Sequence, residues 1–453
     1  MKSKLDLLRE FYNGKWYAIL CGALVVLGNA TGWEVQLFSL MVVSFFVACL
    51  IAYDFRFALV PFLCTVFFVS PVNAPNITVF REHFGQLSVI IALILSFGLL
   101  AAGIVVFVIR NRHRRNPMPW KGFFMSMAIL CAAWALNGLF NPAYTVKNFI
   151  YSLQFPAVLL LIYVLYALYV QFDKSALESF MQALMIAGTV ISLEVIARYL
   201  SGHVIVDGAI VKENVTVGWG VWTTVGGMIA FAMPACFYCA ATYRRGWAFY
   251  LLGLFEFFCI LLSQSRGALL VGALILLLSI VFLCIWGPNR KINRYITAGL
   301  AVIGVLGVIV LHKQLIGILQ NFIDRGFDDN GRYTLWSTAW EKFLGHPVFG
   351  SGFYDNGIVS NWDIDVYPFF YHNTIVQALG STGVVGLLAY LWHRFTTVRR
   401  VVKKPTLYKT YLGLCLAACL GFCMLDVLFF ITYPLIFYTL ILLFIEKSDE
   451  ITE

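Results

Sequence analysis

A chain of 453 residues that is 61% hydrophobic, 12% charged and +0.83 in mean hydropathy cannot hide its apolar surface in soluble cores. The Lys and Arg behind its net charge of +9 fall in short clusters between apolar runs, which reads as an orientation signal and argues against a nucleic-acid surface. Aromatics at 16%, with 40 Phe, suit lipid-facing and interfacial positions.

The first apolar run starts near residue 16. The segment ahead of it has no small-residue cleavage site after a short apolar core, so a retained span is expected. Further runs start near residues 35, 57, 87, 122, 148, 177, 222, 247, 267, 295, 373, 407 and 427, fourteen in all. The pattern predicts an all-α polytopic membrane protein of about 12–14 transmembrane helices. Its expected division is residues 1–312 (helices 1–11 with short loops), 313–372 (a large extracytoplasmic loop with short helices) and 373–453 (the C-terminal helices). The eleven Cys all lie within apolar runs, where a thiol acts as a small hydrophobe. Cys236 and Cys239 form a CxxC, but no His or second CxxC is near enough in sequence to complete a metal site.

With a cytoplasmic N-terminus and strict alternation, 23 of the 32 Lys and Arg fall inside, among them Arg110, Arg112, Arg245, Arg394 and Arg399. Nine fall outside: Arg81, Lys147, Arg198, Lys212, Arg266, Lys313, Arg325, Arg332 and Lys342. That bias satisfies the positive-inside rule and places both termini in the cytoplasm.

Chemistry is expected in the large polar loop, because loops held by a rigid scaffold carry binding and catalysis. Within it, GRYTLWSTAWEKFL (331–344) has helical apolar spacing and reads as a helix lying on the membrane or capping the bundle. GHPVFGSG (345–352) breaks that helix, and His346 before Pro347 reads as structural. Outer cations are few. Arg266 sits in SQSRGALL (263–270) between two tightly joined spans, Arg332 opens the loop helix, and Arg198 ends a span. The guanidinium fork meets phosphate oxygens bidentately, so Arg266 and Arg332 suit a lipid-linked diphosphate at headgroup depth. His372, at the start of the twelfth span, takes a proton near neutral pH. Cations for a leaving diphosphate and one base for a nucleophile suit sugar transfer to a hydroxyl.

Acidic residues offer other chemistry. Asp324, Asp328, Asp329, Asp355, Asp363 and Asp365 all lie in the loop, without EF-hand spacing, and read as turn residues ahead of a metal site. Glu194, Glu256 and Asp426 lie in or near spans, where acids are candidates for proton relay. Glu194 and Arg198 are four apart and are expected to pair.

The segments SRGALL (265–270), GRYTLWSTAWEKFLGHPVFGSGFYDN (331–356) and HNTIVQALGSTGVVGLLAYL (372–391) together resemble the bacterial O-antigen ligase and O-antigen polymerase family. The resemblance covers about residues 260–395. It implies a GT-C-type membrane glycosyltransferase, inverting and metal-independent, without a cofactor. Such an enzyme moves a preassembled glycan en bloc from undecaprenyl diphosphate to an acceptor hydroxyl, on a lipid A core sugar (ligase) or a second lipid-linked glycan (polymerase). On the matching positions Arg266 and Arg332 contact the donor diphosphate and His372 is the catalytic residue, with Arg198 a weaker candidate. Tyr371, Asn373 and Trp219 are candidates for acceptor or sugar contacts. Membrane lipids are the expected surroundings, in a bacterial inner membrane with the site on the periplasmic side. Two alternatives stand beside this reading: a flippase for lipid-linked oligosaccharides, and a peptidoglycan glycosyltransferase of the shape-and-division class using Asp355, Asp363 or Asp365 as base.

Overall fold

The computed structural model describes residues 3–31, 33–67, 86–120, 122–206, 209–217, 220–303, 305–306, 309, 331–353, 370–426, 428–447 and 451. The fold is all-α. Among the described residues the strands are one two-residue hairpin, Ile205–Val206 against Ala209–Ile210, antiparallel with Ile205 opposite Ile210. Six described helices are long and apolar enough to cross a membrane: Leu87–Arg110, Asn148–Tyr169, Lys174–Leu200, Trp222–Thr242, Arg266–Ile285 and Thr374–Val402. Shorter apolar helices accompany them: Lys15–Thr31, Glu34–Ile51, Arg56–Phe67, Phe123–Ala135, Gly246–Leu262, Leu407–Cys423 and Thr432–Glu446. Residues 290–303 are helical as well. Every expected apolar run thus begins at, or a few residues from, a described helix. Most of the 313–372 loop, including Arg325 and the six loop Asp residues, lies outside the described residues, as does Trp219.

Side-chain oxygens set several helix starts. Asp173, Ser265, Asn373 and Thr406 each accept a backbone N–H of the first turn, satisfying donors that have no partner within the helix. Trp222–Thr242 is buried from Thr224 to Ala241 and forms the centre with Lys174–Leu200, Leu407–Cys423 and Thr432–Glu446. Small residues let these helices close. A Cβ on Gly227 would lie 2.6 Å from the Phe422 ring, and one on Gly253 would lie 2.6 Å from Phe237. Ten of the eleven Cys are buried, and all are free thiols. Leu87–Arg110 and Arg266–Ile285 show Leu95, Leu270, Leu274 and Leu277 on the outside, the pattern of helices solvated by lipid.

Helix Thr374–Val402 is broken at Gly383 (φ 64°, ψ −162°), and residues 347–352 lie along the break. Val384 N–H donates to the Pro347 carbonyl (2.9 Å) and Val385 N–H to Val348 (3.2 Å). In return Ser351 N–H donates to Gly380 (3.0 Å) and Gly352 N–H to Ser381 (2.9 Å). Backbone groups freed by the break are therefore satisfied by the loop, which non-helical backbone in a membrane bundle demands. Phe349 and Ser351 also accept from Gly138 N–H (3.0 Å) and the Asn141 amide (2.8 Å), tying this segment to the turn after helix Phe123–Ala135.

Two charged features stand apart from this exchange. Asp54 is buried between helices Glu34–Ile51 and Arg56–Phe67, accepts from Arg56 N–H (2.9 Å) and lies 3.6 Å from the Arg56 guanidinium, which also pairs with Asp173. Burial outweighs these contacts and pushes its carboxyl up to about 6. Arg394, expected among the cytoplasmic orientation charges, is instead buried in the core. Its guanidinium carbon lies 4.6, 4.1 and 5.1 Å from the ring centres of Tyr390, Phe429 and Tyr438. A flanking cation can count toward topology in a sequence and still be consumed by aromatic faces in the fold.

Gly383→Ala is expected to destabilise the detergent-solubilised protein by on the order of 3 kcal/mol in thermal unfolding. Its Cβ would meet the Val348 carbonyl oxygen at 2.4 Å. Gly202→Ala also carries a positive φ (76°) but has open space around it, and should cost about 1 kcal/mol. Asp54 binds its proton more tightly folded than unfolded, so its ionisation above about pH 6 disfavours the fold. Relative to Asp54→Asn, the wild-type melting temperature should therefore rise as pH falls through 6 toward the ordinary carboxylate range; a fall would reverse the sign.

Candidate active site

The ends of six helices meet at one end of the bundle and carry the residues singled out in the sequence. Helix Gly246–Leu262 turns through Ser263, Gln264 and Ser265 directly into Arg266–Ile285. Ser263 Oγ donates to Ile260 (2.7 Å), and Ser265 Oγ caps the next helix by accepting from Ala268 N–H (3.3 Å). This tight turn holds Arg266 exposed at the first helical position. Tyr199, next to Arg198, donates its hydroxyl to the Leu262 carbonyl at 2.7 Å, bringing the end of helix Lys174–Leu200 to the same turn. The Arg198 Nε donates to the Thr216 carbonyl at 2.9 Å, so this half-buried side chain anchors the 201–217 segment. Glu194, buried one turn earlier on the same helix, attracts the Arg198 guanidinium electrostatically, as their spacing leads one to expect.

On the far side of Arg266, Gly267 packs on Leu425: a Cβ there would lie 3.1 Å from Leu425 Cδ1. The next residue is Asp426, buried, whose Oδ1 lies 2.9 Å from His372 Nδ1. The carboxylate accepts from Nδ1–H, which fixes the ring tautomer and directs the lone pair of Nε2 outward. The His372 side chain is 42% exposed, against 8% for Asp426, so the pair is a buried orienting acid behind an open imidazole. His372 adopts φ 51° and Gln264 φ 58°, two of the four non-glycine residues in the left-handed region among those described. Such strain is held only where surrounding contacts fix the chain, and here it falls on both sides of one site.

Arg332 joins through its helix. It opens Arg332–Gly345 after Gly331 (φ 77°) and is half-buried. One turn on, Trp336 Nε1 donates to the Tyr371 carbonyl at 3.0 Å, and Ala339 packs on Gly380. The loop helix therefore caps the start of helix Thr374–Val402. Since residues four apart share a helix face, Arg332 stands on the side of Trp336 that meets His372's neighbour. His346 ends the loop helix through its backbone, donating to Lys342 (3.0 Å) and accepting from Gly350 (2.9 Å).

Two residues expected as sugar contacts are taken up by the fold. Tyr371 is 1% exposed, donates its N–H to Gln377 Oε1 (2.9 Å), and has its phenol pushed up to about 12 by burial. Asn373 is buried; its Oδ1 accepts from Ile375 and Val376 N–H (2.9 and 3.2 Å) while its amide donates to the Met424 carbonyl (3.1 Å). Together with the His372–Asp426 contact, this stitches residues 371–373 to the turn after helix Leu407–Cys423. Asp426 is the site residue whose role sequence reasoning missed. It was visible as an acid near a span, but nothing in the sequence pairs it with a histidine 54 positions away.

The two-ended layout is testable by labelling. Arg266→Cys and His372→Cys in sealed vesicles should react with a membrane-impermeant maleimide from one side, and Arg245→Cys, at the opposite end of helix Gly246–Leu262, from the other. Reaction of all three from the same side would contradict the arrangement.

No curated protein matches the chain. Residues 248–391 match the family model described as O-antigen ligase. That span runs from helix Gly246–Leu262 to the middle of helix Thr374–Val402 and contains Arg266, Arg332 and His372. Over this part of its length the chain is similar to the O-antigen ligase family.

Proposed function

We propose that the protein transfers a glycan en bloc from an undecaprenyl-diphosphate carrier to an acceptor hydroxyl, at the outer face of the inner membrane of a bacterium. The observation that carries this reading is the His372–Asp426 pair, an oriented base at 2.9 Å from its carboxylate, standing open beside the Arg266 turn. His372 Nε2 takes the proton of the acceptor hydroxyl as its oxygen attacks the anomeric carbon from the face opposite the leaving group. The new bond is acceptor oxygen to anomeric carbon. The bond from that carbon to the phosphate oxygen breaks, and its electron pair leaves on the lipid diphosphate. Arg266 and Arg332 stabilise the charge that builds there. Asp426 steadies the imidazolium that forms, which then loses its proton to water. Attack from the opposite face inverts the anomeric centre.

The oriented imidazole favours a transferase over a flippase, which needs no base. The site is read without a metal. The acceptor is a sugar hydroxyl, on lipid A core for a ligase or on a second lipid-linked glycan for a polymerase. The Lys and Arg bias of the sequence supports the placement on the outer face, and Lys15 and Arg245 stand together at the end of the bundle away from the site.

In a reconstituted assay with lipid-linked donor and acceptor in detergent, His372→Ala should lower kcat by about 10²–10⁴, and Arg266→Ala or Arg332→Ala by about 10²–10³, with melting temperatures near wild type. Asp426→Asn should lower kcat at least about tenfold with little change in donor KM, because it acts through the ring. Full turnover by His372→Ala would remove the base from the mechanism. EDTA should leave turnover unchanged; inhibition reversed by one divalent ion would install a metal in the site.

A further inference from the structure

A second site lies at the other end of the bundle. A lateral cavity of about 790 Å³ opens between helices Lys15–Thr31, Lys174–Leu200 and Gly246–Leu262. Its walls are almost wholly apolar, with Ile19, Val26, Met185, Val190, Leu193 and Phe249 along them. Charge is confined to one end, where Lys15 and Arg245 stand exposed and Gln182 donates to the Tyr243 hydroxyl at 2.6 Å; further along, Thr189 turns its hydroxyl to the Met185 carbonyl of its own helix. Neither cation makes a salt bridge among the described pairs. Trp16, exposed at the same level, is the residue type that settles at headgroup depth.

We propose that this groove binds one anionic phospholipid of the leaflet facing away from the candidate active site. Its headgroup phosphate is met by Lys15 and Arg245, and an acyl chain runs along helix Lys174–Leu200. Three observations select that occupant. The charge is placed for a phosphate at one end and an apolar tail beyond it. The groove follows its floor helix from Gln182 to Leu193, about 16 Å at 1.5 Å per residue, which is the depth of one leaflet of a hydrocarbon core about 30 Å thick. The cationic end opposes the site: Arg245 begins the helix whose far end turns into Arg266, and Gln182 lies far down the helix that ends at Arg198. A lipid whose phosphate engages Arg266 would present only its tail to this end, so the groove takes a different molecule.

Close packing shapes the groove. Gly22 sits so near helix Lys174–Leu200 that a Cβ would lie 2.9 Å from Val190 Cγ2, while Asn13 is tied to the same helix, its carbonyl accepting from Ser179 Oγ at 2.7 Å. Those contacts hold helix Lys15–Thr31 against the floor on one side and leave the wall facing Phe249 and Leu252 open.

The test uses the full-length protein in nanodiscs of phosphatidylcholine alone or with phosphatidylglycerol, read by native mass spectrometry and thermal unfolding. Wild type should retain one phosphatidylglycerol in preference to phosphatidylcholine and melt higher in its presence. The Lys15→Gln/Arg245→Gln double variant should retain it about tenfold less, whereas Arg112→Gln, an exposed cation away from the groove, should not differ from wild type. Ala23→Phe, which fills the groove and leaves both cations in place, should also lose the lipid. Equal retention of both lipids by wild type, undiminished retention by the double variant, or a second copy of the chain found in place of lipid would each overturn the proposal.

Discussion

The site depends on a backbone exchange in the middle of the bundle. Helix Thr374–Val402 breaks at Gly383, and the 347–352 segment lies in the break, giving and taking four hydrogen bonds with residues 380–385. Inside a membrane bundle no water replaces a lost helical bond, so the break and the segment require each other. The consequence is spatial. The segment follows the loop helix by two residues, so anchoring it fixes Arg332–Gly345 over the start of Thr374–Val402. Trp336 can then reach the Tyr371 carbonyl, and the backbone is carried into the left-handed turn at His372.

That division of labour changes how the motifs should be read. The glycines of GHPVFGSG and ALGSTGVVG make the most recognisable part of the resemblance, and they are architecture. A Cβ on Gly350 would lie 2.2 Å from the Ser381 carbonyl carbon, and one on Gly383 would lie 2.4 Å from the Val348 carbonyl oxygen. The proposed chemistry rests on single residues with little sequence context: Arg266 after a capping serine, Arg332 after a glycine, and His372 before a capping asparagine.

The spans were legible because lipid demands long apolar runs, and each expected run meets a described helix. Which spans form the core was not. Leu87–Arg110 and Arg266–Ile285 are the most apolar of the six long helices and only 11% and 28% buried, while Trp222–Thr242 is among the least apolar and 100% buried. Lipid accepts apolar surface as readily as protein does, so hydropathy marks the membrane and small residues mark the interior. The candidate site was half legible. Arg266, Arg332 and His372 stand out because outer cations are scarce, but Asp426 looked like an isolated intramembrane acid, and Tyr371 and Asn373 looked available when the fold uses both. Partnerships across tens of residues leave no periodic trace.

Arg394 shows why the scaffold can be rigid at a distance from the site. It lies on the same helix that begins after His372–Asn373, some twenty positions on and beyond the break at Gly383. Its charge is buried among three rings and donates to the Tyr438 hydroxyl at 2.7 Å. Beside it His393 is satisfied on both nitrogens, by Ser126 Oγ at 3.0 Å and Tyr438 at 2.8 Å. A dry cation costs several kcal/mol unless its partners are fixed, so this end of the helix tolerates little rotation. Phe429, which faces Arg394, lies three residues from Asp426. The same short turn therefore closes the aromatic box at one end and supplies the carboxylate for His372 at the other. Helix Thr374–Val402 is held at its start by Asn373, at its break by residues 347–352, and near its end by this box. An imidazole mounted on such an element keeps its aim without contacts of its own beyond Asp426.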